Sequence, residues 1–271
     1  MPEAQYVLGH AGREIQRLML QAAILRPITE RLLREAGLRP GMRVLDVGCG
    51  AGDVAMAAAA MVGPSGSVVG IDRSAEVVAT ASGRAREAGL ANVRFETGDA
   101  VSFRDPKPFD AVVGRCVVLH QADPPSFVRA AAGQARPGGV VAFHEIIAGE
   151  GVSATPEVPL WRRAGEWFSA AFRSSTPNWD AGRRMIEIFS AAGLPQPTIF
   201  CERPVGGGPD SLLYSWIAET VASLMPAISR LGIAGVEEVD VETLEGRLRD
   251  AVVSAHAQVV GPSQFCAWAS V

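Results

Sequence analysis

The stretch VLDVGCGAGD, residues 44–53, runs apolar, turns on glycine and resumes as a polar-led, alanine-rich run. A buried strand, a tight turn and a helix fit that order. Gly48, Gly50 and Gly52 let the backbone turn sharply and approach a ligand closely. The helix that follows offers free N–H groups and a positive dipole end. An acidic residue about twenty positions later, at the end of a second strand, suits a ribose diol; Asp72 holds that place. The turn therefore reads as the seat of a nucleotide-bearing ligand, and two kinds compete. A dinucleotide site wants G-x-G-x-x-G, so that the helix carries the pyrophosphate. Here the loop is G-C-G-A-G, with Asp53 where the third glycine would fall. Asp46 adds a carboxylate inside the strand, which repels a pyrophosphate but suits a cationic, amino-acid-bearing ligand.

Outward from this turn, strand and helix alternate. Upstream, residues 10–36 read as helix with a break at Pro27, because Ile15, Leu18, Met19, Ala22 and Leu25 recur at helical spacing. GLRPGM is a turn. MRVLDV is the first strand, and the helix after the glycines reaches about Met61. GSVVGID is a second strand; Ser74 can cap the helix that runs through Ala88. NVRFET is a third strand and FDAVVG a fourth, with a helix starting near Asp123. RPGG then turns into VVAFHEI, the fifth strand. Short apolar strands separated by helices predict βαβ units and a parallel sheet covered on both faces. After Gly149 the rhythm breaks. Residues 150–180 are rich in Pro, Ser and aromatics, 181–193 form an amphipathic helix, and TIFCERP is a sixth strand. Two helices over 210–232 and 242–256 follow, and QVVGPSQFCAWAS closes the chain as a seventh strand.

Bulk properties narrow the function classes. With 48% hydrophobic residues, 271 residues can bury a sizeable core without disulfides or metals. A net charge of −4 argues against a phosphate-tracking nucleic-acid surface. Cys49, Cys116, Cys201 and Cys266 are far apart and have no His partner at ligand spacing, which predicts reduced thiols and no zinc site. MPEAQYVLGHAGRE lacks the apolar core of a secretory leader, and runs such as Val54–Val62 are too short for a bilayer. The expectation is a cytoplasmic protein with a small-molecule substrate, no nucleic-acid partner and no membrane partner.

VLDVGCGAGD, GIDRS, TGDA, FDAVVGRCVVLH and ARPGGVVAFHE, in this order and spacing, resemble the blocks of class I S-adenosylmethionine-dependent methyltransferases over about residues 38–148. YVLGHAGREIQRLMLQA resembles the cofactor-capping segment of a bacterial small-molecule subgroup. The resemblance implies a Rossmann-like α/β fold: a seven-stranded, mostly parallel sheet with an N-terminal helical cap and helical, aromatic lid inserts. It implies one methyltransferase domain over 1–271, with a cap at 1–37, a core at 38–148, inserts at 149–180 and 206–256, and a closing strand at 258–270. It also implies binding of S-adenosylmethionine and its product S-adenosylhomocysteine. On that pattern Asp46 orders the loop or receives the methionine ammonium through water. The backbone of Gly48, Cys49 and Gly50 passes under the methionine and ribose. Asp72 takes the ribose hydroxyls, and Arg73, where the family often has an aromatic or aliphatic residue, lies beside the adenine. Asp99 accepts from the adenine amino group and Ala100 supplies a backbone N–H. Arg115, Cys116 and Val117 lie along the methionine part. Tyr6 and Gln21 either close over the cofactor or belong to a packed first helix.

Within that family, a metal-dependent enzyme would place a carboxylate where Arg115 stands, so no metal is expected. The DPPS at 123–126 comes too late to be the motif of amino-methylating DNA enzymes; Asp123 instead caps a helix whose first turn holds prolines. A small-molecule enzyme with its own lid remains. Trp161, Trp167, Phe168, Phe172 and Trp179 crowd one insert and form either an apolar substrate pocket or a satellite core. Glu145, which ends strand five, is the first candidate for a proton acceptor, followed by His120 and His144. Strand alternation sends His144 and Glu145 to opposite faces, so one of them should look toward the site. His10 and His256 read as surface or capping residues. The expected reaction is in-line transfer of a methyl group to an O, N or C atom of a small apolar metabolite of the kind made in secondary metabolism. The alternative is a protein of the same fold that binds the cofactor but catalyses a non-methylating rearrangement or acts as an interaction subunit.

Overall fold

A computed structural model describes residues 12–271, with side chains from Arg17 onward. Tyr6 and His10 lie outside the described residues. The chain divides into two compact units. One comprises Arg26–Glu145, Ala181–Cys201 and Phe265–Val271; the other comprises residues up to Leu25, Ile146–Asp180 and Glu202–Gln264.

The helix α1 (Gly12–Glu35) contributes to both units. In the first unit, β1 (Arg43–Val47), α2 (Asp53–Val62), β2 (Ser67–Asp72), α3 (Ala75–Glu87) and β3 (Val93–Thr97) alternate as expected. Then come β4 (Phe109–Arg115), α4 (Pro124–Ala132) and β5 (Ala135–Ile147). β1 pairs in parallel with β2 and β4, β2 with β3, and β4 with β5. Val44, Leu45 and Val47 are fully buried, as the continuous apolar run of a strand covered on both sides requires. The caps read from the sequence are present. Ser74 Oγ accepts from the Val77 amide at 3.5 Å, and Asp123 Oδ1 accepts from the Ser126 amide at 3.1 Å ahead of Pro124 and Pro125.

The second unit holds β6 (Ser153–Thr155) and α5 (Pro159–Ser175). A short helix α6 (Met185–Ala191) and β7 (Thr198–Glu202) return to the sheet region. The remaining elements are β8 (Val205–Gly206), α7 (Leu213–Arg230), α8 (Val236–Val239), α9 (Leu244–Ser254), β9 (Gln258–Val260) and β10 (Ser263–Ser270). The seven-stranded sheet has the order β3-β2-β1-β4-β5-β10-β7. Val271, just past β10, exchanges backbone bonds with Gly138 and Gly139 near the start of β5, so β10 runs antiparallel to its neighbour. The mostly parallel α/β sheet expected from the sequence is thus the sheet observed.

Two elements differ from their sequence reading. The first helix does not break at Pro27 but continues to Glu35 with the proline inside it. Missing one N–H costs a ladder bond, yet Leu25, Leu32 and Leu33 are fully buried along the same helix, and packing outweighs that local loss. The closing segment is two strands, not one. Pro262 interrupts it, the Gly261 amide donates to Pro204 O at 2.8 Å, and β9 joins β6 and β8 in a separate three-stranded sheet. That small sheet has strands too short to show any alternation, so periodicity does not reveal it.

Candidate functional site

From β1 the strand order runs outward to β2 and β3 on one side and to β4 on the other. Sheets of this kind bind ligands beyond the carboxyl ends of the strands at such a reversal. At that edge, Gly48 and Gly50 have φ of 68° and 51°. A Cβ on Gly48 would lie 2.7 Å from Val117 Cγ2, whereas one on Gly50 would meet nothing within 4 Å. Gly48 therefore lets the turn close on the β4 loop, and Gly50 leaves open space above the backbone. The turn is fixed by the Cys49 amide donating to Ile71 O at 2.9 Å.

Asp46, in β1 beneath the turn, is fully buried and neither carboxylate oxygen has a hydrogen-bond partner. Burial raises its pKa to about 8. The Arg115 guanidinium and, more weakly, the Ala55 amide pull it down, while the Asp72 and Asp53 carboxylates push it up. A bare buried carboxylate is costly unless a cation meets it. Cys49 above it is buried, and burial together with the Asp46 and Asp72 charges raises its thiol pKa.

Asp72 closes β2. Its Oδ2 accepts from the Gly50 amide at 3.0 Å and its Oδ1 from the Ser74 amide at 3.0 Å. Each oxygen retains a further acceptor site, so the side chain is held in place and still offers both oxygens to a diol. Arg73 Nε donates to Asp99 Oδ2 at 2.6 Å. Asp99 Oδ1 accepts from the amides of Val101 (2.8 Å) and Ser102 (3.4 Å). Burial raises the Asp99 pKa, but these amides and Arg73 outweigh it, and the carboxyl titrates below its ordinary value. Ala100, next along the chain, is half-buried.

The loop after β4 carries the remaining candidates. Cys116 has a left-handed φ of 53°, and its amide donates to His144 O at 2.8 Å. Glu145 is fully buried. Its Oε1 accepts from the amides of Val117 and Val118, both at 2.9 Å, and its Oε2 from the Leu119 amide at 3.2 Å. Burial lifts its pKa to about 7 against the pull of those three amides. Strand alternation does separate His144 from Glu145, yet both are fully buried. His144 Nδ1 lies 3.0 Å from Thr29 Oγ1 on α1, and Arg115 Nη1 donates to the same hydroxyl at 3.3 Å. His120 is half-buried at the end of a short 3-10 turn, Val118–His120. Thr29 and the Glu145 clamp were not anticipated: one threonine in a helix and one glutamate in a strand carry no spacing signal for partners so distant in sequence.

The first unit thus carries Asp46, Asp72 and Arg115 at the ends of β1, β2 and β4, and Gly48, Cys49, Gly50, Arg73, Asp99, Ala100, Cys116 and Val117 on the loops that follow β1, β2, β3 and β4. An unsatisfied acid, an open glycine cradle and an anchored acidic acceptor fit a ligand with a cationic amino-acid end and a ribose. Among the described residues no cluster of three or more His, Cys, Asp or Glu side chains could hold a metal ion. Residues 38–180, more than half of the chain, match the methyltransferase domain family. The chain belongs to that family.

This methyltransferase-domain chain is 36% identical over 156 residues to nocamycin O-methyltransferase of Saccharothrix syringae, covering 48% of this chain and 55% of that protein. It is 38% identical over 114 residues to ubiquinone biosynthesis O-methyltransferase of Paracidovorax citrulli, covering 41% and 47%. The chain therefore spans about half the length of these curated relatives. Among solved structures, the YcgJ protein of Bacillus subtilis superposes with a TM-score of 0.59 at 22% identity, covering 89% of this chain and 97% of that one. The [4+2]-cyclase SpnF superposes with a TM-score of 0.50 at 22% identity, covering 89% and 80%. At such identities the likeness shows the fold alone.

The second unit of this methyltransferase-domain protein contains the aromatic candidates. Trp161, Trp167, Phe168 and Phe172 are buried along α5, and Trp179 is half-buried. Trp161 meets Tyr214 of α7 edge-on at 6.1 Å, and Phe168 meets Phe172 at 6.3 Å. Trp179 lies so close to Gly149 that a Cβ there would sit 2.3 Å from its ring. The indole nitrogens of Trp161 and Trp167 are buried with no hydrogen-bond partner. Gln21, on the part of α1 in this unit, is buried and accepts from Arg17 Nη1 at 2.8 Å. Among the described residues no helix is long and apolar enough to cross a membrane.

Proposed function

We propose that this chain transfers the methyl group of S-adenosylmethionine to an O, N or C atom of a small, apolar metabolite, without a metal ion. The observation that carries the reading is Asp46: a fully buried carboxyl group whose oxygens have no hydrogen-bond partner, lying under a glycine turn that is open at Gly50. A zwitterionic, sulfonium-bearing ligand supplies the missing positive charge, and a pyrophosphate does not. The names of the relatives, which include O-methyltransferases acting in nocamycin and ubiquinone biosynthesis, support a small-molecule acceptor.

On this reading Asp72 binds the ribose hydroxyls, Asp99 and Ala100 meet the adenine, and Arg73 lies beside it. The cofactor supplies a methyl group already activated by positive sulfur. The protein's task is then to hold the acceptor in line with that methyl and to exclude water. Glu145 leaves the role of proton acceptor: it is fully buried and its carboxyl accepts from three amides, so it positions the Val117–Leu119 backbone. His144, bonded into the protein at Thr29, leaves that role as well. His120, at the half-buried end of the same turn, is the group assigned to take a proton where the acceptor must lose one. The aromatic side chains along α5 of the second unit are the candidates for acceptor recognition.

Incubating the protein with S-adenosylmethionine and a metabolite extract should yield products heavier by one methylene, read by mass spectrometry. Asp72→Ala should weaken S-adenosylhomocysteine binding by about 1–3 kcal/mol, the cost of losing charge-assisted bonds. Unchanged affinity in that variant sinks the assignment of the cofactor site. Cofactor binding without any methylated product would favour a non-methylating protein of the same fold.

A further inference from the structure

Each glycine of the turn after β1 has a different neighbour. Gly48 admits Val117 from the loop after β4, and Gly50 faces open space. Gly52 meets Phe95: a Cβ there would lie 2.8 Å from Phe95 Cζ and 3.0 Å from Ala81 Cβ. Phe95 belongs to β3, which is separated from β1 by β2. A side chain on one strand ordinarily stops against its cross-strand neighbour. The sequence of β2 removes that obstacle. Phe95 is in register with Gly70, where a Cβ would lie 2.5 Å from Phe95 Cδ1 and 3.1 Å from Cys49 Cβ. The ring therefore lies across β2 in place of the missing side chain and reaches the turn.

Val117 and Phe95 approach the turn from opposite sides, because β4 and β3 flank β1 on opposite sides of the sheet order. Neither is free to yield. The Val117 amide donates to Glu145 Oε1 at 2.9 Å, and Ala81 of α3, fully buried, closes the space at Gly52 beside the Phe95 ring. Gly50 stands between these two contacts, and its amide donates to Asp72 Oδ2 at 3.0 Å. Close-packed interiors transmit a displacement rather than absorb it. A shift of the ring should therefore move the open part of the turn relative to Asp72.

Resting on the cofactor reading above, we infer that Phe95 is a positioning residue for cofactor binding: its ring, laid over Gly70, props the turn at Cys49 and Gly52 and sets where Gly50 stands relative to Asp72. Phe95 acts through the backbone of the turn. Its loss should be felt in ligand affinity as well as in stability, which distinguishes it from an aromatic that only fills the core.

The test reads S-adenosylhomocysteine affinity by calorimetry, at a temperature where the variants are folded, together with the thermal midpoint. Phe95→Leu shortens the prop and should weaken binding several-fold. Phe95→Ala should weaken it by about tenfold, as expected when a pre-organised site must be re-ordered on binding. Gly52 has a left-handed φ of 88°, whereas Gly70 lies within a regular strand, so Gly70→Ala probes the ring contact alone. It should weaken binding by displacing the ring, and Gly70→Ala combined with Phe95→Leu should recover most of that loss. Val62 is fully buried at the far end of α2; Val62→Ala should lower the midpoint and leave affinity unchanged. A Phe95→Ala protein with a lowered midpoint that still binds within about twofold of the unaltered one overturns the inference. An equal loss of affinity in Val62→Ala does so too, because general loosening would then explain both. If Phe95→Ala does not fold, Phe95→Leu and the Gly70 pair decide by the same criteria. If the unaltered protein does not bind S-adenosylhomocysteine, the cofactor reading itself fails, and this inference with it.

Discussion

Asp46 concentrates the electrostatic problem of the site in one side chain. Its pKa is raised from 3.8 to about 8 because burial disfavours the charged form. Between those values the folded chain binds more protons than the unfolded one. The stability associated with this carboxyl is therefore greatest at the acid end and falls as pH rises toward about 8. Asp46→Asn should flatten that part of the pH–stability curve, read as thermal midpoint against pH. Ligand binding carries the opposite signature. At about pH 6.5 the ligand amine is already protonated, so a cation arriving beside Asp46 should expel its proton. Calorimetry of S-adenosylhomocysteine binding in buffers of different ionisation enthalpy should detect close to one proton released, and none in Asp46→Asn. Equal proton release in both proteins would show that another group titrates.

At the scale of elements, the loop after β4 is shaped by β5. Three amides converge on Glu145, and a fourth bond ties Cys116 to His144 O. These bonds support a backbone that includes a left-handed non-glycine residue, a conformation that costs about 1–3 kcal/mol. Glu145→Gln replaces one acceptor oxygen by a donor facing amide donors. It should lower the melting temperature and weaken cofactor binding together, because the loop that touches Gly48 loses its clamp. A variant with unchanged melting temperature and affinity but with kcat reduced by about 10²–10⁴-fold would restore Glu145 to proton transfer.

The molecule as a whole consists of two compact units, and they carry different chemistry. The first presents acidic and glycine-rich loops at the edge of a parallel sheet. The second buries large aromatics between α5, α7 and α9. Trp161 is fully buried against Tyr214, so Trp161→Ala should cost about 3–5 kcal/mol through the cavity it leaves. On the proposed assignment it should also raise KM for the acceptor while cofactor affinity, measured by calorimetry, stays within error. A lowered melting temperature with KM unchanged would leave these aromatics the single role of holding their unit together.

The sequence by itself determined the order of strands and helices through β5 and the glycine turn after β1. Both are written in local period and turn chemistry, and both follow from interactions within a few residues. The run of helix through Pro27 and the split of the closing strand at Pro262 were decided by tertiary packing, which outweighed local propensity in the first case and gave the two halves different partners in the second. The roles of Glu145, His144 and Thr29 were decided there too. Their partners lie 26 to 115 residues away, and only the completed sheet brings those groups within bonding distance. A buried carboxylate or imidazole reads identically in sequence whether it faces a substrate or a backbone amide; what distinguishes the two is where its neighbours' donors point after folding.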